Sequence, residues 1–275
     1  MPSAYFLVSH GSSDPRPQES LVKLAELLSD RLYPLTSNSN SGKQRVLVGC
    51  GTLELAPTPL HQQLLEFGRS LPTPPISEIQ VIPLFLLPGV HVAEDIPAEI
   101  AMASKTLGDR PIALNLQPYL GSHPGIRDLL AAKMKSYPAS SWVLVSHGSR
   151  RPGGNLPVEE IANYLEHKYR TPVCTGYWSV GPSWDLQILN LVRDGHKKIG
   201  IVPYFLFKGG ITEAIARSVE QFVREYPAVN FYLAEPLGAT IELVELIVET
   251  VSTGRWSGCR RRKIAAGNSE GGPCV

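Results

Sequence analysis

The chain has 275 residues, a formal net charge of +1, and 43% hydrophobic against 19% charged residues. That length can bury a full core in one large domain or two of ordinary size, and the near-neutral balance argues against a nucleic-acid or membrane-surface partner, either of which calls for a basic excess. No apolar run approaches the roughly 20 residues that span a bilayer.

The first residues go straight into a short apolar run, without the charged and apolar regions of a signal peptide. The four cysteines (Cys50, Cys174, Cys259, Cys274) have no CxxC spacing. A reduced, cytoplasmic protein is therefore expected. In chain order, the runs AYFLVS (4–9), RVLVGC (45–50), IQVIPLF (79–85) and IALNL (112–116) predict buried strands, being short and apolar throughout, as parallel strands covered on both faces are. Helical patterns fill the gaps. Leu21, Leu24, Leu28 and Leu32 recur at helical spacing in 18–32 behind Pro17, and further helices are expected over 58–69, 93–106 and 122–136. Strands near 142–146, 172–176, 198–202 and 229–233 then alternate with helices near 156–169, 183–194, 211–226 and 239–252. Alternating βα units imply a parallel sheet with right-handed crossovers.

The second series repeats the first. LVSHGSSDPR (7–16) returns as LVSHGSRRPG (144–153), GTLELAPTPL (51–60) as GYWSVGPSWD (176–185), PLFLLPG (83–89) as PYFLFKG (203–209), and YLG (119–121) as PLG (236–238). The spacing between matched residues shrinks along the chain, so the extra length lies in the first copy. The polar TSNSNSG (36–42) and the Pro-rich LPTPP (71–75) account for two of the steps. The expected architecture is α/β: two tandem duplicated domains, each a small parallel sheet flanked by helices, over residues 1–137 and 138–253. A Gly- and Arg-rich tail, 254–275, is expected to be disordered.

Working residues in open α/β sheets cluster beyond the carboxyl ends of the strands. His10 follows the first strand, Glu54 lies just past the second, and His91 falls on the loop after the third. With neighbouring strands about 4.8 Å apart, three such loops bring two imidazoles and a carboxylate around one volume, a donor set suited to a divalent Fe, Co, Ni or Zn ion. The duplication acts as a control: the matching positions in the second copy are His147, Ser179 and Ile211. Residues needed for folding should recur in both copies, so the asymmetry favours a functional role for the first set. Cys50 reads as a buried structural thiol, and His147 and His123 as hydrogen-bonded turn and helix-start residues. Neither GCGTLE (49–54) nor SNSNSGKQ fits a nucleotide loop, and no GxSxG elbow supports Ser12 or Ser149 as a nucleophile.

SHGSSDPR, LELAPTPL and IPLFLLPGVHVAEDIP, in that order, resemble the sirohydrochlorin chelatases over about residues 4–250, in the long two-domain form. That resemblance implies ATP-independent insertion of Co²⁺ or Fe²⁺ into sirohydrochlorin, in cobalamin or siroheme biosynthesis. It implies His10 and His91 as metal-site histidines and Glu54 as the acidic member, and no cofactor beyond the substrate metal. It further implies a fused version of a homodimer, hence a monomer with one site discarded. Ser12, Ser13, Arg16 and Val90 are the expected macrocycle contacts, the serines and backbone N–H groups toward its carboxylates, with Arg16 and Arg127 as weaker candidates for these and Lys208 as a contribution of the second domain across the cleft. The alternatives are a metal or tetrapyrrole carrier without turnover, and a serine hydrolase using Ser12 and His10.

Overall fold

Eight short strands carry the repeated pattern. In the first repeat they are β1 (Ser3–Ser9), β2 (Val48–Thr52), β3 (Glu78–Pro83) and β4 (Ala113–Leu116); in the second, β5 (Ser141–Ser146), β6 (Val173–Tyr177), β7 (Lys198–Pro203) and β8 (Asn230–Leu233). This computed structural model describes residues 3–36, 46–72, 76–107 and 112–253. The expected tail and most of the two expected insertions lie outside the described residues. Each sheet is wholly parallel, ordered β2-β1-β3-β4 and β6-β5-β7-β8. The connections leave β1 in one direction to β2 and return past it to β3, which places the reversal of strand order between β1 and β3, and likewise between β5 and β7. The crevice of an open sheet forms at such a reversal.

The helices are α1 (Pro15–Thr36), α2 (Leu60–Ser70), α3 (Ile96–Thr106), α4 (Gly125–Lys135), α5 (Leu156–Tyr169), α6 (Trp184–Arg193), α7 (Gly210–Glu225) and α8 (Ile241–Thr253). Alternation along the strands sorts the side chains to two faces. On β1, Phe6 and Val8 join a core with Leu60 and Leu64 of α2 and Ile96 and Ile100 of α3. Leu7 points the other way, into a larger core with Leu21, Leu24 and Leu28 of α1 and Leu130 and Met134 of α4. The second repeat is built alike: Val143 and Val145 face Ile188 of α6 and Ile215 of α7, while Leu144 faces the inner core.

The inner core belongs to both repeats. Leu165 of α5 and Val244 and Ile247 of α8 lie in the same buried cluster as Leu24 and Leu130. Helices α1 and α8 pack together, as do α4 and α5, each pair joining one repeat to the other. Burying a leucine or isoleucine contributes ~1.5–3 kcal/mol, so this seam stabilises the pair far more than its polar links do. Those links include Arg31 of α1, whose Nε and Nη2 donate to the two carboxylate oxygens of Glu245 at 2.5 and 3.0 Å. Another is the Tyr204 hydroxyl, which donates to the Leu86 carbonyl at 3.1 Å.

Two local differences from expectation affect the site. The strand expected over 45–50 is displaced to Val48–Thr52, because pairing with β1 runs from Tyr5–Val48 to Ser9–Thr52. His91 is not on a loop. It opens a π-helical turn, His91–Asp95, that leads directly into α3 and is closed by the Ile96 N–H donating to the His91 carbonyl. Pro97 follows and has no N–H to give to the turn before it, so the helical ladder widens there.

Candidate metal centre

The carboxyl ends of β1, β2 and β3 present three donors. His10 directly follows β1, and its carbonyl accepts the Glu54 N–H at 2.8 Å, which continues the β1–β2 pairing two residues past the strands. Gly11 makes this approach feasible. It has a φ of +104°, and a Cβ there would lie 2.0 Å from the Glu54 carbonyl oxygen. Leu55, beside Glu54, also takes a left-handed φ of 58° and leaves its side chain exposed. A non-glycine residue in this region carries local strain, and such residues gather at functional sites. His91 arrives at the start of the π-helical turn, beyond the reversal of strand order.

The three side chains converge. Nε2 of His10 lies 3.9 Å from Oε2 of Glu54, and Nε2 of His91 lies 3.7 Å from Oε1 of the same carboxylate. The two imidazoles meet edge to face with centroids 4.9 Å apart. One ligand atom from each of the three lies within 4.8 Å of the others. Tetrahedral donors with bonds of ~2.1 Å are ~3.4 Å apart, so closing this set on a metal takes a shift of about an ångström. Each ring is oriented from its far side. Nδ1 of His91 is 2.8 Å from Oδ2 of Asp95, and Nδ1 of His10 is 3.3 Å from the Gly11 carbonyl. A proton on Nδ1 at these contacts leaves Nε2 as the metal-facing lone pair. Phe85 flanks both rings at about 6 Å between centroids.

His10 and His91 open onto a cavity of about 880 Å³ between the repeats. One wall comes from Leu84–Gly89, the other from Tyr204–Phe207 with Gly209–Thr212, and residues 9–12 and 147–150 complete it. It is largely apolar and sits near the upper end of the size range for small-molecule sites. In the second copy the Ser179 N–H donates to the His147 carbonyl at 2.9 Å, repeating the Glu54–His10 bond. The backbone is retained. The donors are not: Ser179 and Ile211 stand where Glu54 and His91 stand, and His147 keeps company with the Ser179 hydroxyl, 3.3 Å from its Nδ1.

The other expected contacts divide. Ser12 lines the cavity, but its hydroxyl accepts the Asp14 N–H, and no hydrogen bond joins it to His10 among the described residues. A nucleophile needs its base within hydrogen-bond reach, so this geometry gives no support to a hydrolase. Ser13, Val90 and Arg16 are outside the lining. Arg16 is held by Asp14 and by Glu213 of α7, at 2.5 and 2.7 Å, so it links the repeats and is not offered to a ligand. These carboxylates push its guanidinium well above its ordinary range. Lys208 pairs with Glu235 at 2.7 Å, and Arg127 lies over the Tyr164 ring at 4.2 Å. His123 is a structural residue. It is buried, its Nδ1 accepts the Gly125 N–H, and burial holds its pKa below the ordinary value despite Glu249 at 3.3 Å. Cys50 packs against the inner core, and burial raises its thiol pKa, as expected of a structural cysteine.

Sequence reasoning missed Asp95. Its signal was present: position i+4 from His91 places it beside that ring once the helical turn begins at 91.

Known proteins resemble this chain in sequence and in fold. Sirohydrochlorin ferrochelatase of Bacillus subtilis (strain 168) is 26% identical over 170 residues, covering 59% of this chain and 63% of that protein. Sirohydrochlorin cobaltochelatase of Priestia megaterium is 25% identical over 193 residues, covering 64% and 60%. The chain thus spans less than two thirds of either relative. The solved structure of SirB from Bacillus subtilis with Fe³⁺ superposes with a TM-score of 0.70 at 24% identity, covering 91% of this chain and 94% of that one, and so shares the fold. The CbiX family model matches twice, over residues 4–137 and again over 141–253, which takes in both sheets and all eight helices. The chain belongs to the CbiX family, with two copies of its unit in tandem.

Proposed function

We propose that the protein inserts a divalent metal, Co²⁺ or Fe²⁺, into sirohydrochlorin without ATP, in siroheme or cobalamin biosynthesis. The observation that carries this reading is the convergence of His10, His91 and Glu54 at the edge of an apolar cavity large enough for a macrocycle. The curated relatives named for the same substrate support it.

In this reading the metal is a substrate held in transit. His10 and His91 present Nε2 to the ion, and Glu54, between them, offsets its charge. The hold must yield to four ring nitrogens, and an imidazole–carboxylate set without thiolate suits that need. Insertion also requires two pyrrole N–H protons to leave. An imidazole that has released the metal can accept one of them, since its unperturbed pKa lies near neutrality, and the other passes to solvent at the mouth of the cavity. Leu84–Leu87 and Tyr204–Phe207 support the faces of the ring. The chain supplies both walls itself, so the active unit is a monomer, and no resident cofactor enters the scheme.

The test is a spectroscopic assay of sirohydrochlorin metallation with Co²⁺ and Fe²⁺ in turn. Wild-type protein should exceed the spontaneous rate, and His10→Ala and His91→Ala should be nearly inactive. A protein that binds metal or macrocycle yet never exceeds the spontaneous rate is a carrier, and that result would sink the proposal.

A further inference from the structure

We infer that the wall of the cavity supplied by the second repeat is an anion subsite centred on Arg150, which receives a carboxylate substituent of the macrocycle. The inference rests on the proposed function, because it names how the same substrate is oriented. The sirohydrochlorin ring carries acetate and propionate side chains, so a largely apolar cavity that holds it needs at least one cationic contact at the periphery.

Arg150 is the one lysine or arginine among the described residues lining the cavity, and no aspartate or glutamate lines it. No carboxylate lies within ion-pair distance of its guanidinium among the described residues, whereas Arg16, Arg31, Arg151, Lys168, Lys208 and Arg217 each have one. Its loop is held on both sides. Asn155 accepts the Ser149 N–H through Oδ1 at 2.8 Å and donates to the Ser149 carbonyl through Nδ2 at 3.1 Å. The Ser149 hydroxyl accepts the Arg151 N–H, and Arg151 reaches across to Glu94 of the first repeat at 3.9 Å. A cation between two fixed neighbours loses less freedom on binding.

The first repeat again serves as the control. There the Ser12 hydroxyl accepts the Asp14 N–H at 3.1 Å, the same turn as Ser149 with Arg151. The residue in the middle of that turn is Ser13, where the second copy has Arg150. One backbone device therefore presents a small neutral residue on the metal side and a long cation on the other. The metal donors and the anion contact have been divided between the two copies.

Titration of metal-free sirohydrochlorin into full-length wild type, Arg150→Ala and Arg150→Lys, read by ring absorbance, tests this. Alanine should weaken binding about tenfold or more, the range for a lost charge-assisted hydrogen bond, and lysine should restore part of it. The KM should rise far more than kcat falls. Co²⁺ binding in the absence of macrocycle should be the same in all three proteins, which a collapsed cleft would not allow. Equal sirohydrochlorin affinity in wild type and Arg150→Ala would overturn the subsite and leave the chelatase reading intact. A wild type that binds no sirohydrochlorin would overturn both.

Discussion

Nδ1 of His91 lies 2.8 Å from Oδ2 of Asp95. The contact exists because the chain enters α3 through a π-helical turn, which brings both side chains to one side. It fixes the ring plane and aims Nε2 at Glu54. Asp95→Asn keeps the shape but removes the charge, and such changes behind a metal-facing histidine cost about 10–100-fold in metal affinity or activity. Co²⁺ titration should show that loss with an unchanged melting temperature. Affinity and activity both equal to wild type would show that the ring needs no such support.

Position 11 tests the backbone that carries Glu54. An alanine there would place its Cβ 2.0 Å from the Glu54 carbonyl oxygen at a φ of +104°. Gly11→Ala should destabilise the protein by more than ~1 kcal/mol and lower metallation with it, while Gly89→Ala, with nothing within 4 Å of its added carbon, should leave stability unchanged. Thermal melts of the two variants side by side would settle the matter.

The strands, helices and duplication were legible because each element carries its own apolar period. The convergence of His10, Glu54 and His91 was legible because strand ends in a parallel sheet are neighbours. Register was not: the run is apolar from Val46 to Cys50 without a break, and only pairing with β1 shows that the strand runs from Val48 through Gly51 to Thr52. The partners of Arg16, Lys208 and Arg127 were hidden for a similar reason: Glu213, Glu235 and Tyr164 lie far away in sequence, or on another element, or both.

The shared inner core predicts one unfolding transition for both repeats. Leu130→Ala, a fully buried change on α4, should cost ~2–5 kcal/mol. It should shift the loss of structure in both halves together. Arg31→Ala at the solvent-screened ion pair with Glu245 should cost far less. Two separate transitions by calorimetry would contradict the common core.

His123 gives stability a pH dependence. Burial depresses its folded pKa below the ordinary 6.5, so the unfolded chain takes up a proton first as pH falls. The stabilisation is complete above about pH 6.5 and drains away as pH falls toward the folded value, at up to ~1.4 kcal/mol per pH unit. Urea unfolding at pH 7.5 and pH 5.5 should show a larger drop for wild type than for His123→Gln. Equal drops would place the charge-sensitive group elsewhere.

The fused arrangement has a consequence for how such a cleft can change. In a symmetric pair of identical subunits, a substitution made on one side of the opening is made on the other as well, so no residue can be tried on one side alone. Joined in a single chain, the copies are released from that coupling. Ser13 and Arg150, set on the same turn, show the two sides already diverging.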